Sequence, residues 1–348
     1  MTLLFDYLLF FAKVFTIIFA IMIIVLFIVG QRKKSSASAG SLTIKDISEE
    51  YDELKNVMLT SNMSEVEIKQ YQKEQKREKK QQKKQAKKTE NKKAQTDDPK
   101  STKKPNSYLI SFNGSVDAHE VEDLRQEVTA ILSIIKPEDE VILKLESPGG
   151  VVHGYGLAAS QLMRFRTRNI PLTAVIDKVA ASGGYMMACT ANKIVAAPFA
   201  IVGSIGVVAQ IPNFHRLLKK NDIDIELQTA GEYKRTLTML GENTEEGRKK
   251  FKQELEETHL LFKDFVKENR PNLNIEDVAT GEHWFATQAI EKGLVDEIST
   301  SDDFILSRLE THKVIEIKYQ RRKKLTDRLT KKVLSSIEQL FFRNSRTL

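Results

Sequence analysis

The strongest hydrophobic feature is an apolar run near the N-terminus. Val14 to Val29 is 16 residues broken only by Thr16, and joining it to Tyr7–Ala12 gives a 23-residue span interrupted by Lys13. That length can cross a bilayer with the lysine reaching toward an interface. A buried core helix would need partners covering every face, and the neutral to acidic start followed by GQRKK argues against a cleaved signal peptide. The pattern predicts a transmembrane helix with a basic flank over residues 1–34.

The next segment, residues 35–106, is mostly polar. Four apolar residues recur in it at helical spacing: Ile47, Tyr51, Leu54 and Met58. They predict an amphipathic helix or a short coiled coil. Between Lys69 and Lys104 there are 15 basic and 5 acidic residues and almost no apolar ones. This composition indicates a solvated helix or a disordered linker, serving either as a spacer or as a contact for anionic lipid headgroups.

From residue 107 the pattern alternates between short apolar strands and amphipathic helices, which predicts an α/β domain over residues 107–300. The predicted strands are SYLISFNG, DEVILKLES, PLTAVID, KIVAAP, GSIGVVAQI and DIDIELQ. The predicted helices are HEVEDLRQEVTAILSII, GYGLAASQLMRFRTR, SGGYMMACTAN, NFHRLLKKN and Thr244 to Asn269, with HWFATQAIEKGLVDEI closing the domain. Two units share the order strand, Gly-Gly turn, helix. We therefore expect stacked ββα-like units with both turns at the same end.

The C-terminal tail, residues 301–348, is basic and amphipathic. Five apolar residues follow one helical face in it: Leu325, Leu329, Val333, Ile337 and Leu340. Such a helix could dock on the membrane, on the domain or on a partner subunit.

Charge and cysteine content exclude several classes of protein. The formal net charge is +7, but the basic excess lies in the linker, so we expect no nucleic-acid partner for the folded part. The single cysteine, Cys189, excludes an intramolecular disulfide and a multi-cysteine metal site, and no cofactor or metal is expected. Arg32, Lys33 and Lys34 follow the apolar span, so the positive-inside rule places the C-terminal bulk in the cytoplasm.

The two Gly-Gly turns carry the candidate chemistry. Ser182 stands between Ala181 and Gly183, in VAASGGYMMACT, at the start of an apolar helix. One interpretation is an N-cap serine followed by glycines that admit another backbone. The other is a nucleophile: if both turns lie at one end of the sheet, amides from Gly149 or Gly150 and from Gly183 converge to stabilise a tetrahedral oxyanion.

A serine nucleophile needs a base, and two kinds are available. None of the six histidines lies in a small or glycine-flanked context, although a Ser-His-Asp triad could still assemble from distant positions. A lysine removed from water is the alternative, because burial disfavours the ammonium form. Lys234, in LQTAGEYKRTLTM, follows a predicted strand and a glycine, although most lysines are surface charges.

Four motifs in order, LESPGG, DKVAASGGYMMA, GSIGV and GEYKR, resemble those of the membrane-bound serine peptidases related to signal peptide peptidase A. The resemblance covers roughly Tyr108 to Ile298 and, through the anchor, linker and tail, most of the chain. It implies a ClpP/crotonase-like fold and a Ser-Lys dyad. By this resemblance Ser182 is the nucleophile, Lys234 the general base, and Ser204 the hydroxyl that holds the lysine. Gly149, Gly150 and Gly183 lie in the oxyanion-hole motifs, and the choice between the first two stays open.

The resemblance also implies the biological setting. It suggests a single-pass protein of the bacterial inner membrane that cleaves signal-peptide remnants or misfolded envelope proteins. In relatives of half the length the dyad is completed between subunits of a ring, and this chain carries one copy of each motif. We therefore expect a homo-oligomer with a shared dyad and a peptide or unfolded-protein substrate.

Two other functions and two other site assignments are considered. A crotonase-like acyl-CoA enzyme would use the paired amides but leave Ser182 and Lys234 without roles. A non-catalytic membrane scaffold would use only the anchor, coiled segment and tail. Cys189 lies on the same helical face as Ser182 and is a rival nucleophile, although a buried thiol is preferred. Asp177 and Lys178 are interpreted as a strand-end turn.

Overall fold

The computed structural model describes residues 9–11, 13–16, 19, 40–93 and 104–321. The chain divides into two units, Met1–Ser41 with Gln320–Leu348, and Leu42–Tyr319. In the first unit residues 9–11, 13–16 and 19 are helical. The part of the chain that is described contains no helix with the length and apolarity needed to cross a bilayer. Most of the predicted anchor, and the tail from residue 322 onward, lie outside the described residues.

The second unit is an α/β structure, as the alternating pattern predicted. The strands of the described residues are β1 Ser41–Asp46, β2 Asn106–Asn113, β3 Glu140–Glu146, β4 Leu172–Ile176, β5 Val179–Ala181, β6 Lys193–Ala196, β7 Ile201–Gly203, β8 His283–Phe285, β9 Glu297–Ile298 and β10 Lys313–Gln320. Its helices are α1 Ile47–Thr60, α2 Glu65–Lys93, α3 Val121–Leu132, α4 Val152–Arg166, α5 Gly183–Ala188, α6 His215–Lys220, α7 Glu245–Asn269, α8 Ile275–Val278, α9 Ala286–Ala289 and α10 Ser301–Thr311.

Two sheets organise the described strands. The larger has the order β1-β10-β2-β3-β4-β6-β9, and its pairs from β10 to β9 are parallel. The smaller has the order β5-β7-β8, with β5 and β7 parallel and β7 and β8 antiparallel. Strands β10 and β1 extend the large sheet beyond the 107–300 span expected for the domain.

The large sheet is covered on both faces, which explains why its strands are continuous apolar runs in the sequence. On β2, Ile110 and Phe112 belong to the larger core cluster, which includes α3, α4 and α5. Leu109 belongs to a smaller cluster with Phe304 of α10. Successive residues of a strand point to opposite faces, so this split follows the period of two.

Two predicted strands are wrong. GSIGVVAQI predicts a turn followed by a strand, but β7 lies earlier and ends at Gly203, and residues 204–211 have no regular structure. DIDIELQ, residues 222–228, is also irregular, and its alternating Ile223, Ile225 and Leu227 are exposed. Alternation alone does not make a strand, because the backbone still needs a neighbouring strand to pair with.

Candidate active site

Ser182 has a strained backbone. Its φ is 52° and its ψ is −119°, a region that non-glycine residues rarely occupy, and its side chain makes no capping hydrogen bond to α5. Ser182 therefore occupies the N-cap position of α5, as one interpretation of the sequence expected, but its side chain does not cap the helix. Strained residues of this kind cluster at functional sites, where the surrounding structure imposes the conformation.

Backbone hydrogen bonds from two strands hold Ser182 in place. The Ser182 N–H donates to the Gly203 carbonyl at 2.8 Å, at the end of β7, and one residue earlier the Ala181 N–H donates to the Ser147 carbonyl at 3.0 Å. After Ser182 the chain turns directly into α5, where the Met186 N–H donates to the Ser182 carbonyl at 2.9 Å. The serine thus stands at a sharp turn between a strand and a buried helix.

The two Gly-Gly turns meet at Ser182, as the sequence predicted. A Cβ placed on Gly149 would lie 2.7 Å from the Ser182 Cβ and 2.8 Å from the Gly183 nitrogen. Gly149 also has a φ of 90°, which only glycine adopts without strain. The LESPGG turn and the start of α5 therefore pack backbone against backbone.

The backbone N–H groups of these turns differ in whether they have a hydrogen-bond acceptor. The Gly149 N–H donates to Ser147 Oγ at 3.1 Å and is already satisfied. The Gly150 and Gly183 N–H groups have no hydrogen-bond acceptor among the residues that the structure describes. Unpaired amides beside a serine hydroxyl can receive a negatively charged oxygen.

A small cleft of about 20 Å³ opens at Ser182. It is lined by Gly150, Val152, Tyr155, Ser182, Gly183, Met186, Gly206, Val207, Thr258 and Phe262. The lining is mainly apolar and includes the two glycines with unpaired amides, whereas Gly149 does not line it. The cleft therefore brings Ser182 together with both glycines whose amides are unpaired.

Ser204 lies beside Ser182, but Lys234 does not line the cleft. β5 and β7 pair with Ala181 opposite Gly203, so the residues that follow them, Ser182 and Ser204, are adjacent. Lys234 is exposed in the segment between α6 and α7, and its side chain makes no hydrogen bond or ion pair within the described part of the chain. A single chain therefore brings together the serines and glycines of the predicted site without the lysine.

No described histidine forms a hydrogen bond with Ser182. His259, on α7 next to the cleft residue Thr258, contacts the Ile205 carbonyl through Nε2 at 3.2 Å. Sequence reasoning did not single out this histidine, because it lies within a long polar helix. Over the described ranges, no cluster of three or more His, Cys, Asp or Glu residues is arranged to hold a metal ion.

Three residues near Ser182 in the sequence, Cys189, Asp177 and Lys178, are held by contacts outside the cleft. Cys189 is fully buried, burial raises the pKa of its thiol to about 12, and its Sγ contacts the Met186 carbonyl. Asp177 accepts hydrogen bonds from the Ser301 N–H at 2.8 Å and the Ser301 hydroxyl at 2.6 Å, at the start of α10. Lys178 pairs with Glu146 at 3.0 Å.

Comparisons with known proteins identify the family. The profile described as "Peptidase family S49 N-terminal" matches residues 2–162, and "Peptidase family S49" matches residues 164–315. The chain is 52% identical to a "Probable protease SohB" of Haemophilus influenzae over 340 residues, which cover 98% of this chain and 96% of that protein. The chain belongs to peptidase family S49. It is therefore a serine-type peptidase.

Other S49 relatives agree. A "Probable protease SohB" of Buchnera aphidicola subsp. Schlechtendalia chinensis is 52% identical, with 87% of this chain and 98% of that protein covered. Among solved structures, a mutant of the membrane-bound stomatin-specific protease 1510-N in complex with a substrate peptide has a TM-score of 0.41 and 12% identity, covering 66% of this chain and 98% of that chain. That structural likeness is too weak to add to the S49 assignment.

Proposed function

We propose that this S49 chain is a membrane-anchored serine endopeptidase of ClpP/crotonase-like fold that hydrolyses peptide bonds through an acyl-enzyme. The observation that carries the proposal is the strained Ser182 beside two unpaired amides, those of Gly150 and Gly183. Ser182 Oγ attacks the substrate carbonyl, and the two amides stabilise the oxyanion. Gly150 is preferred over Gly149 as a donor because the Gly149 N–H is occupied by Ser147.

Lys234 is the proposed general base. Its neutral amine takes the proton of Ser182 Oγ, gives a proton to the departing amine, and then activates the water that releases the acyl group. The Ser204 hydroxyl would hold this lysine in place, because Ser204 lies at the end of β7 beside Ser182.

The dyad is proposed to form between two copies of the chain. Lys234 is exposed in a single copy, and the segment around it exposes large apolar side chains, with Leu227 53% exposed and Tyr233 48% exposed. Isolated monomers rarely leave such a series uncovered, and a second copy would bury it while bringing Lys234 to a neighbouring Ser182.

A mixing experiment tests the shared dyad. Ser182→Ala and Lys234→Ala chains are each expected to be inactive against a fluorogenic peptide. When the two are co-expressed, sites that combine an intact serine from one chain with an intact lysine from the other should restore roughly a quarter of the activity, by random pairing. Co-expression of Ser182→Ala with the double variant is the matched control and should restore none. An inactive mixture would reject the shared dyad, and an active Ser182→Ala chain would reject the mechanism.

The substrate and membrane setting complete the proposal. We propose signal-peptide remnants or misfolded envelope proteins as substrates, and an inner-membrane anchor at Val14 to Val29 with the peptidase unit in the cytoplasm, as the basic flank indicates. Protease treatment of spheroplasts tests the orientation: a cytoplasmic unit stays intact until the cells are lysed, whereas a unit on the outer face is cleaved at once. The S49 assignment favours this function over an acyl-CoA enzyme or a scaffold.

A further inference from the structure

Tyr155 is a buried tyrosine whose hydroxyl lies under the candidate site. It belongs to α4, its side chain is fully buried, and it is one of the residues that line the cleft. The hydroxyl donates to the Ser115 carbonyl at 2.8 Å and shares a second, short hydrogen bond with Ser147 Oγ. A buried phenol needs such partners, but the choice of Ser147 links it to the LESPGG turn.

The direction of these hydrogen bonds can be deduced. A carbonyl can only accept, so Tyr155 uses its single proton on Ser115. Ser147 must then donate its own proton to the Tyr155 oxygen, which leaves Ser147 Oγ free to accept from the Gly149 N–H at 3.1 Å. The chain of donors therefore runs one way, from the Gly149 amide through Ser147 and Tyr155 to the Ser115 carbonyl.

This chain fixes the orientation of the glycine turn. Because the Gly149 N–H donates to Ser147, the peptide plane before Gly149 is held, and the next residue, Gly150, lines the cleft with no acceptor for its N–H in the described part of the chain. The ring of the same tyrosine packs against the second glycine, since a Cβ on Gly183 would lie 2.7 Å from Tyr155 Cβ and Cδ2. Tyr155 is thus linked to both unpaired amides: to that of Gly150 through Ser147 and Gly149, and to that of Gly183 by direct packing.

We propose that Tyr155 and Ser147 are positioning residues that set the two amide donors of the oxyanion hole. They act through the backbone of Gly149, Gly150 and Gly183, and neither forms a hydrogen bond with Ser182 Oγ or Lys234 Nζ within the described residues of one chain. This inference rests on the proposed function, because an oxyanion forms only if Ser182 attacks a carbonyl.

The test uses the full chain, purified from membranes in detergent, with Tyr155→Phe, Ser147→Ala and the double variant. Each single variant is expected to lower kcat for a fluorogenic peptide by about tenfold to a hundredfold, less than the 10² to 10³ for outright loss of a donor, with KM changed by less than about twofold. Affinity for a peptidyl boronate, whose tetrahedral adduct occupies the oxyanion hole, should fall by a similar factor. The double variant should be no worse than the worse single variant, because both changes break one chain of hydrogen bonds.

Tyr185→Phe is the matched control. Tyr185 is also fully buried, and its hydroxyl donates to the Leu294 carbonyl at 3.1 Å, away from the glycine turn. It should lose a comparable buried hydrogen bond and keep kcat and boronate affinity. Thermal unfolding of each variant shows whether the folded fractions match, and Ser147→Ala carries the test if Tyr155→Phe folds poorly.

The outcomes separate the two proposals. Retained cleavage by Ser182→Ala would reject the proposed function. An inactive Ser182→Ala chain, together with equal kcat for Tyr155→Phe and Tyr185→Phe, would reject only the positioning role. A loss seen solely in KM would also reject it, because oxyanion donors act in the transition state.

Discussion

Gly183 and Tyr155 are packed so closely that no side chain fits between them. A Cβ on Gly183 would clash with Cβ, Cγ and Cδ2 of Tyr155. Tyr155 cannot easily move away, because it is fully buried and its hydroxyl forms two hydrogen bonds. The residue after the nucleophile is therefore a glycine for a steric reason. Any larger residue would have to push α5 away from α4 and shift the amide that faces the cleft.

Gly183→Ala is expected to destabilise the fold and slow the reaction of Ser182. Overpacking of this kind typically lowers the free energy of unfolding by about 1 to 3 kcal/mol. Gly156→Ala on α4 is the matched control: a Cβ there meets nothing within 4 Å, so it should stabilise the helix by about 0.4 to 1 kcal/mol. Urea unfolding and the rate of labelling by a fluorophosphonate measure the two effects. Equal stability of the two variants would contradict the packing argument.

Because of Glu127, we expect the free energy of unfolding to decrease as the pH rises. Burial raises the pKa of Glu127 to about 7, and Asp123 adds to the rise, although the Tyr319 N–H, donating to the carboxylate at 2.8 Å, opposes it. Between the ordinary value of 4.5 and about 7 the folded state binds more protons than the unfolded state. The free energy of unfolding should therefore fall by roughly 3 kcal/mol as pH rises through that window, and then level off.

Glu127→Gln removes this effect, because the amide stays neutral and its oxygen can still accept from Tyr319. Urea unfolding between pH 4 and 8 should show a flatter pH dependence and higher stability at pH 8 than in the unmodified chain. Glu122→Gln, at an exposed position of the same helix, controls for the loss of one carboxylate. A profile for Glu127→Gln that matches the unmodified chain would disprove the assignment.

Cys189 is expected to be inert. Burial raises the pKa of its thiol to about 12, so almost none of it is thiolate at neutral pH, and thiolate is the reactive form. Iodoacetamide should label the chain only after unfolding. Cys189→Ala should keep fluorophosphonate labelling of Ser182, with some loss of stability from the vacated volume. Rapid alkylation of the native protein would reinstate the thiol as a rival nucleophile.

Breaking the ion pair between Arg270 and Asp296 is expected to lower stability without changing catalysis. Arg270 contacts both carboxylate oxygens of Asp296, at 2.8 and 2.6 Å, and its Nη2 also donates to the Gly293 carbonyl. Arg270→Met leaves a partly buried carboxylate without its counter-ion and should lower the free energy of unfolding by roughly 2 to 3 kcal/mol. Lys263→Met, which breaks the more exposed pair with Glu276, should have little effect. Thermal unfolding compares them, with kcat per folded chain expected to stay constant.

The sequence was sufficient where a local pattern determined a local structure. The central strands were predicted because they are buried on both faces, and α7 was predicted from Thr244, whose hydroxyl caps it by accepting from the Gly247 N–H at 3.1 Å. The meeting of the two Gly-Gly turns was expected at one end of the domain, but it depends on β5, a short strand of the smaller sheet that the sequence did not predict and that joins the end of β3 through a parallel bridge between Ala180 and Ser147. The residue types around Ser182 already required a close backbone approach.

The rest depended on partners that a single sequence does not specify. Residues 222–228 alternate like a strand, but no strand in the described part of the chain pairs with them. The strained φ of Ser182 and the inward turn of the Gly149 amide arise from tertiary contacts with β7 and Ser147. Ser147 could have been singled out, because a serine two residues before Gly149 commonly accepts a hydrogen bond from that amide. The link to Tyr155 needed the three-dimensional structure.

The place of β2 in the sheet has a consequence for biosynthesis. β2 lies between β3 and β10, and its first residue, Asn106, pairs with Lys313. A ribosome delivers one neighbour of this strand soon after it, and the other only when almost the whole polypeptide has been made. Until then the nascent sheet has an unpaired edge at β2, which can pair with strands of other chains or bind chaperones. A translation product cut short before residue 313 cannot close that edge.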